Sequence, residues 1–243
     1  MKREETERRI GLFGGTFNPI HFGHLRGAEE IREAFGLQQV IFIPAAIPPH
    51  KVAEEVIEAK HRLEMVKLAT VTNPFFSTTD IELLRPEKSY SIDTIRYFRQ
   101  RHQEVFFFIL GRDAFVEIET WKEFQHLFSL CNFIVMTRPG SQKTLSASVR
   151  VPACRSGRDS TSPLPEALVT VFRYDQDIKG WIHPSGHTLH FKEITILDIS
   201  STKVREMIER GESVRYLISS EVEAYIQENR LYSHEPGKVH GKS

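Results

Sequence analysis

Short apolar runs alternate along this chain with longer stretches in which apolar residues recur three and four apart. Residues 10–13, 40–43, 75–81, 104–110 and 132–136 read as strands, and residues 23–35 and 60–72 carry helical spacing. In the second of those helices Leu63, Met65, Val66 and Ala69 are expected to form the buried face. Ser91 is expected to cap a helix running to about Arg101 with Asp93 in its first turn, and Ser200 or Ser201 a helix running to Glu209. Residues 219–228 form the last helical pattern, and residues 181–191 read as a hairpin turning at Pro184-Ser-Gly186. Strands alternating with helices predict an α/β fold: a doubly wound, mostly parallel sheet with helices on both faces and a small C-terminal helical portion.

This reading divides the chain into a charged tail (1–9), one domain (10–232) and a second tail (233–243). Residues 141–193 are expected to form a variable surface segment, because residues 141–165 are rich in Ser, Arg and Pro. The mixed charge of residues 1–9 reads as neither signal peptide nor membrane anchor, and no apolar run reaches bilayer length. With 32 basic and 32 acidic residues the chain has no global field to draw nucleic acid, so anion recognition must be local. Two cysteines, Cys131 and Cys154, make no disulfide framework and point to a reduced, cytoplasmic setting.

Local anion recognition has a clear candidate where the first apolar run ends, in Gly14-Gly-Thr-Phe-Asn-Pro-Ile-His-Phe-Gly-His24. Gly14 and Gly15 let the backbone turn sharply and approach a ligand. Thr16, His21 and His24 then surround the opening, near a helix N-terminus whose unpaired N–H groups and dipole favour phosphate. Two histidines three apart also suit a metal, but no carboxylate or thiolate stands nearby at ligand spacing. The better-known G-x-x-x-x-G-K-[ST] and G-x-G-x-x-G loops are absent from this turn. His183, His187 and His190 are a second histidine group, read as residues of an exposed turn rather than as metal ligands.

The glycine–histidine segment resembles the signature of the nucleotidyltransferase superfamily with an H-x-G-H motif. Four further segments, Ile43-Pro-Ala-Ala-Ile-Pro-Pro-His-Lys51, Ser89-Tyr-Ser-Ile-Asp-Thr94, Ile109-Leu-Gly-Arg-Asp113 with Trp121, and Asp198-Ile-Ser-Ser-Thr-Lys-Val-Arg205, follow in the order of the bacterial nicotinate-nucleotide adenylyltransferases. The resemblance covers residues 10–232 and implies a Rossmann-like domain. It implies transfer of AMP from ATP to nicotinic acid mononucleotide, with release of pyrophosphate and formation of deamido-NAD in NAD biosynthesis. The acceptor is already an anionic phosphate, so the reaction needs positioning and charge stabilisation rather than a general base.

The resemblance also implies roles. His21, His24 and Thr16 act at the reacting phosphate. Gly14, Gly15, Gly111, Asp113, Ser200, Ser201, Thr202 and Arg205 join them in binding ATP. Lys51, Ser91, Trp121 and again Thr16 meet the mononucleotide. Asn18 stands where the family often has aspartate and reads more simply as a turn residue before Pro19. Arg112 replaces the small or neutral residue usual between Gly111 and Asp113, so its side chain must point away or make a new contact. Asp113 also suits a helix N-cap. Magnesium is expected with the triphosphate and no protein metal site, no nucleic acid and no membrane are implied; a homo-oligomer is compatible with the sequence. Two alternatives stay open: a related transferase using nicotinamide mononucleotide or another acceptor, and a module that senses ATP without turnover.

Overall fold

A computed structural model describes residues 7–48, 56–85, 87–138 and 163–233. Among them, eight strands form one sheet in the order β3-β2-β1-β4-β5-β8-β7-β6. The five N-terminal strands are β1 (Arg9–Gly15), β2 (Gln39–Pro44), β3 (Phe76–Thr78), β4 (Val105–Gly111) and β5 (Asn132–Thr137), all parallel. β6 (Arg173–Asp175), β7 (Gly180–Ile182) and β8 (Thr188–Glu193) complete it. β8 runs parallel to β5, while β7 is antiparallel to both its neighbours. The expected fold class, a mostly parallel doubly wound sheet, is the observed one.

Both faces are covered, and strand alternation shows why. Leu12, Phe106, Phe108, Phe133 and Val135 enter one core, while their neighbours Phe13, Phe107, Ile109 and Ile134 enter the other. Each such side chain, fully buried, contributes about 1.5–3 kcal/mol. The first core is closed by α3 (Ser91–Arg101), α4 (Arg112–Val116), α5 (Phe124–Leu127) and α6 (Glu166–Val169). The second is closed by α1 (Phe22–Ala34), α2 (Ala59–Thr70), α7 (Ser201–Glu209) and α8 (Ser220–Glu228), the last two being the C-terminal helical portion.

Several expected boundaries shift for identifiable reasons. The third strand is only three residues long, because after Thr79 N–H makes a last bond to the Phe42 carbonyl the chain turns at Asp80, whose carbonyl accepts from Leu83 N–H. Ser91 does not cap α3: it is the first helical residue, and Tyr90 holds the cap position without a side-chain bond. In α2, Met65 and Val66 are buried as expected, but Leu63 and Ala69 are only partly so, and Arg62 takes the interior place. The hairpin of residues 181–191 is present, with Gly186 in the left-handed region at φ 89°, yet it is not peripheral. Leu189 is fully buried and β8 sits inside the sheet, so the strands of this hairpin, within the expected surface segment, belong to the sheet while its turn at 184–186 is exposed. Residues 141–162 lie outside the described residues.

The strand order reverses direction at β1 and β4, whose carboxyl ends lie side by side. Open α/β sheets bind ligands at such a switch point. Here it brings the Gly14–Gly15 end of one strand against the Gly111 end of the other.

Candidate active site

A cleft with two lobes opens at that switch point. The first lobe, about 510 Å³, is lined by Gly14 to Asn18, His21, Gly23, His24, Arg112, Arg138, Ser200 to Thr202 and Arg205. The second, about 420 Å³, is lined by Ala45, Pro48, Glu82, Ser89 to Ile92, Glu117, Trp121 and Lys122, among others. Gly14, Gly15, Thr16, Gly111 and Asp113 line both lobes. The glycine turn is therefore the place where the contents of the two lobes meet.

Chain chemistry at the turn is tight. A Cβ on Gly15 would come within 2.8 Å of the Phe17 ring, and one on Gly23 within 3.0 Å of His21 Nδ1. Phe17 is 2% exposed and meets the His24 ring edge-on at 5.2 Å, so it has no room to yield. The small residues at 15 and 23 thus set the space that the two histidine rings occupy.

His21 holds the N-cap position of α1, and its ring stacks on that of His24 with centroids 3.7 Å apart. The His21 backbone N–H donates to His24 Nδ1 at 3.2 Å. A nitrogen that accepts carries no proton, so neutral His24 bears its hydrogen on Nε2. Burial, then the charge of Arg138, pushes the His21 pKa down to about 4. Burial and the neighbouring His21 hold His24 well below the ordinary range. Both rings are neutral N–H donors at pH 7. His21 Nδ1 is buried with no hydrogen-bond partner among the described residues and faces Gly23 at the helix start.

The start of α7 reaches the same lobe. Ser200 caps the helix, its Oγ accepting from Lys203 N–H at 3.1 Å. Ser201 donates its hydroxyl to the Pro19 carbonyl at 2.8 Å, and Arg205 Nη1 donates to the Asn18 carbonyl at 2.9 Å. The motif therefore does two things: it faces the cleft and it clamps the Asn18–Pro19 turn. Tyr232, far along the chain, adds a bond from its hydroxyl to Asn18 Oδ1 at 2.8 Å. Asn18 is a buried turn residue before a cis proline, in line with the simpler of its two expected roles.

Gly111 and Asp113 stand at the end of β4 and in the first turn of α4. Gly111, not Asp113, holds the cap position, and Asp113 faces both lobes. Arg112 lines the first lobe. In the second lobe Trp121 lies edge-on to Phe108 at 6.3 Å, and Ser91 opens α3 beside it. Lys51 lies outside the described residues; Pro48, which leads toward it, lines this lobe. Among the described residues no three His, Cys, Asp or Glu side chains gather as a metal site, and His183 and His190 bond instead to Ser185 and Thr188 hydroxyls.

A family profile described as cytidylyltransferase-like matches residues 12–207. A probable nicotinate-nucleotide adenylyltransferase of Geobacter metallireducens is 44% identical over 228 residues, covering 93% of this chain and 99% of the relative. One of Pelobacter propionicus is 43% identical over 229 residues, covering 94% and 100%. The chain belongs to the nicotinate-nucleotide adenylyltransferase family. The fold is that of the solved Plasmodium falciparum nicotinic acid mononucleotide adenylyltransferase complexed with NaAD. That structure matches at a TM-score of 0.65 and 19% identity over 93% of this chain and 97% of its own.

As a family member, the chain places His21, His24, Thr16, Ser200, Ser201, Thr202 and Arg205 around one lobe, and Ser91 and Trp121 around the other. Two buried charges at the site escape a reading of the sequence. Arg62 looks like a surface residue of an amphipathic helix, and Glu82 lies in a short turn-rich stretch, yet they are 1% and 6% exposed. Arg62 is three and four residues from Met65 and Val66, which places it on the buried face.

Proposed function

We propose that this chain transfers the adenylyl group of ATP to the phosphate of nicotinic acid mononucleotide, releasing pyrophosphate and forming deamido-NAD. The observation that carries this reading is the pair of lobes that share Gly14–Thr16, Gly111 and Asp113. One lobe suits a triphosphate. It presents Arg112, Arg138, Arg205 and two neutral imidazoles against one carboxylate, Asp113. The other suits a pyridine ring that carries an anion. Trp121 offers an aromatic face, and the N-terminus of α3 at Ser91 and Ile92 offers backbone donors to a carboxylate.

In this reading His24 Nε2–H and His21 donate to phosphate oxygens that gain charge as the mononucleotide oxygen attacks the α-phosphorus and pyrophosphate leaves. Thr16 and the backbone of the glycine turn hold the point of attack. Arg205, with Ser200 and Thr202 at the start of α7, holds the leaving phosphates. Asp113 meets the adenosine end of ATP. Lys51 is assigned to the mononucleotide phosphate by the family resemblance alone. Magnesium fits this donor set as a partner of ATP: among the described residues no carboxylate cluster gathers to cage it, so it would be held by phosphate oxygens and water, and it would neutralise phosphate charge. None of these side chains needs to remove a proton from the nucleophile.

The test is to supply ATP, magnesium and nicotinic acid mononucleotide and to follow both products. Deamido-NAD and pyrophosphate formed in equal amounts support the reading, and ATP binding without either product overturns it in favour of a sensing module. No helix among the described residues is long and apolar enough to cross a membrane.

A further inference from the structure

Arg62 is 1% exposed and sends its guanidinium to three backbone carbonyls on three segments. Nε donates to Ile57 at 3.0 Å, ahead of its own helix, Nη1 to Thr16 at 2.8 Å and Nη2 to Ala46 at 3.0 Å. Thr16 is the last residue of the turn shared by both lobes, and Ala46 follows Ala45 on the wall of the second lobe. One planar group thus spans the floor of the first lobe and the side of the second.

The remaining bonds show what that span controls. Ala46 N–H donates to Ser89 Oγ at 2.8 Å, so residue 46 is held by Arg62 through its carbonyl and by Ser89 through its N–H. The Thr16 carbonyl is drawn toward Arg62, and because the peptide is planar and trans, the N–H edge of that peptide faces the other way. Burial lowers the Arg62 pKa only to about 10, so the group stays charged at pH 7 and holds its carbonyls as a cation. Five donors in a rigid fork suit carbonyls at fixed angles, which an ammonium on a flexible stem cannot match.

We infer that Arg62 is a positioning residue that holds the two substrate lobes in register, so that the attacking phosphate and the α-phosphorus lie in line at Thr16. It touches neither lobe's contents. It acts through the Thr16 and Ala46 peptides. This rests on the adenylyl-transfer reading of the two lobes. In-line displacement is steeply sensitive to such register, since a misplacement of about 1 Å costs on the order of a hundredfold in rate.

The test compares the wild type with Arg62→Lys and Arg62→Met in the full chain. We expect Arg62→Lys to unfold cooperatively, to keep KM for both substrates within about threefold, and to lose kcat about tenfold or more. Hydrogen exchange is expected to quicken at residues 16–17 and 45–47 and to stay unchanged in β1 and β4. Arg62→Met, which keeps volume but no donor, is expected to lose more kcat with the same exchange pattern, or else to fail to fold. Arg62→Lys with kcat within twofold of wild type overturns the inference. So does a kcat loss matched by a loss of titrated active sites, or exchange that quickens evenly across the sheet. A wild type that makes no dinucleotide sinks the adenylyl-transfer reading instead, and the exchange pattern at the two loops then decides for or against Arg62 alone.

Discussion

The backbone N–H of His21 donates to Nδ1 of His24 at 3.2 Å, so the first histidine of the motif sets the tautomer of the second. With Nδ1 occupied as an acceptor, the Nε2–H is the donor left for a phosphate oxygen. Replacing His24 by Ala removes that donor while leaving the guanidinium and backbone contacts of the lobe. The expected loss is about 10²–10³ in kcat, with ATP binding changed by less than about tenfold. Steady-state kinetics beside calorimetry of ATP binding checks this. Equal losses in kcat and ATP affinity would assign His24 to ground-state binding.

His21 makes stability depend on pH. Its folded pKa, about 4, lies below the unfolded value of 6.5, because burial and Arg138 disfavour the charged ring. Below 6.5 the unfolded chain takes up a proton that the folded chain refuses. The contribution is therefore complete above pH 6.5 and is lost as pH falls from 6.5 toward 4, by up to about 3 kcal/mol. Glu82, raised by burial, slopes the opposite way, so the wild type alone does not isolate the effect. Denaturant titrations of wild type and His21→Gln at several pH values do, and the difference is expected to shrink as the pH falls through that window.

Glu82 ties together two walls of the second lobe. Its Oε1 accepts from the Thr94 hydroxyl at 2.6 Å, and Thr94 also receives Arg85 at 3.1 Å. Ser89, which receives Ala46 N–H, donates its own hydroxyl to the same carboxyl. Glu82→Ala leaves the buried Thr94 hydroxyl without its acceptor, at about 1–3 kcal/mol, and releases the half-buried Ser89. It is expected to lower stability and to raise the mononucleotide KM more than the ATP KM. Thermal unfolding and the two KM values decide it.

Trp121 is held from outside by ion pairs between its loop and α3: Lys122 with Asp93 at 3.0 Å and Glu123 with Arg96 at 2.6 Å. The pairs are exposed and individually weak. Stacking by the indole is worth about 0.5–1.5 kcal/mol beyond its buried area. Trp121→Ala is thus expected to raise the mononucleotide KM about tenfold with the ATP KM nearly unchanged, and Trp121→Phe to recover part of it. A change confined to ATP would move Trp121 out of the mononucleotide lobe.

What the sequence made legible and what it hid divide along a physical line. Strands such as β1 and β4 are apolar on both faces, and glycine turns and serine caps have local chemistry, so Gly14–Thr16, the H-x-G-H helix and the Ser200 cap can be read directly. Arg62 and Glu82 cannot, because a charged side chain reads as solvent-facing until its buried partners are known, and those partners are backbone carbonyls and hydroxyls far along the chain. The cap of α3 was obscured for a related reason. Serine commonly caps, but here Tyr90 occupies that place and Ser91 enters the helix, facing the second lobe. The hairpin at Gly186 follows from its turn residues, whereas its pairing with β5 depends on contacts more than fifty residues apart.

The acceptor preference tests the account most directly. Pyrophosphate release is measured with ATP and magnesium, using nicotinic acid mononucleotide in one series and nicotinamide mononucleotide in the other. Backbone donors at the start of α3 facing an anion predict a large advantage in kcat/KM for the acid, because the neutral amide presents N–H groups to those donors. Equal or reversed preference would contradict the assignment of the second lobe, and silence with both would contradict the activity itself.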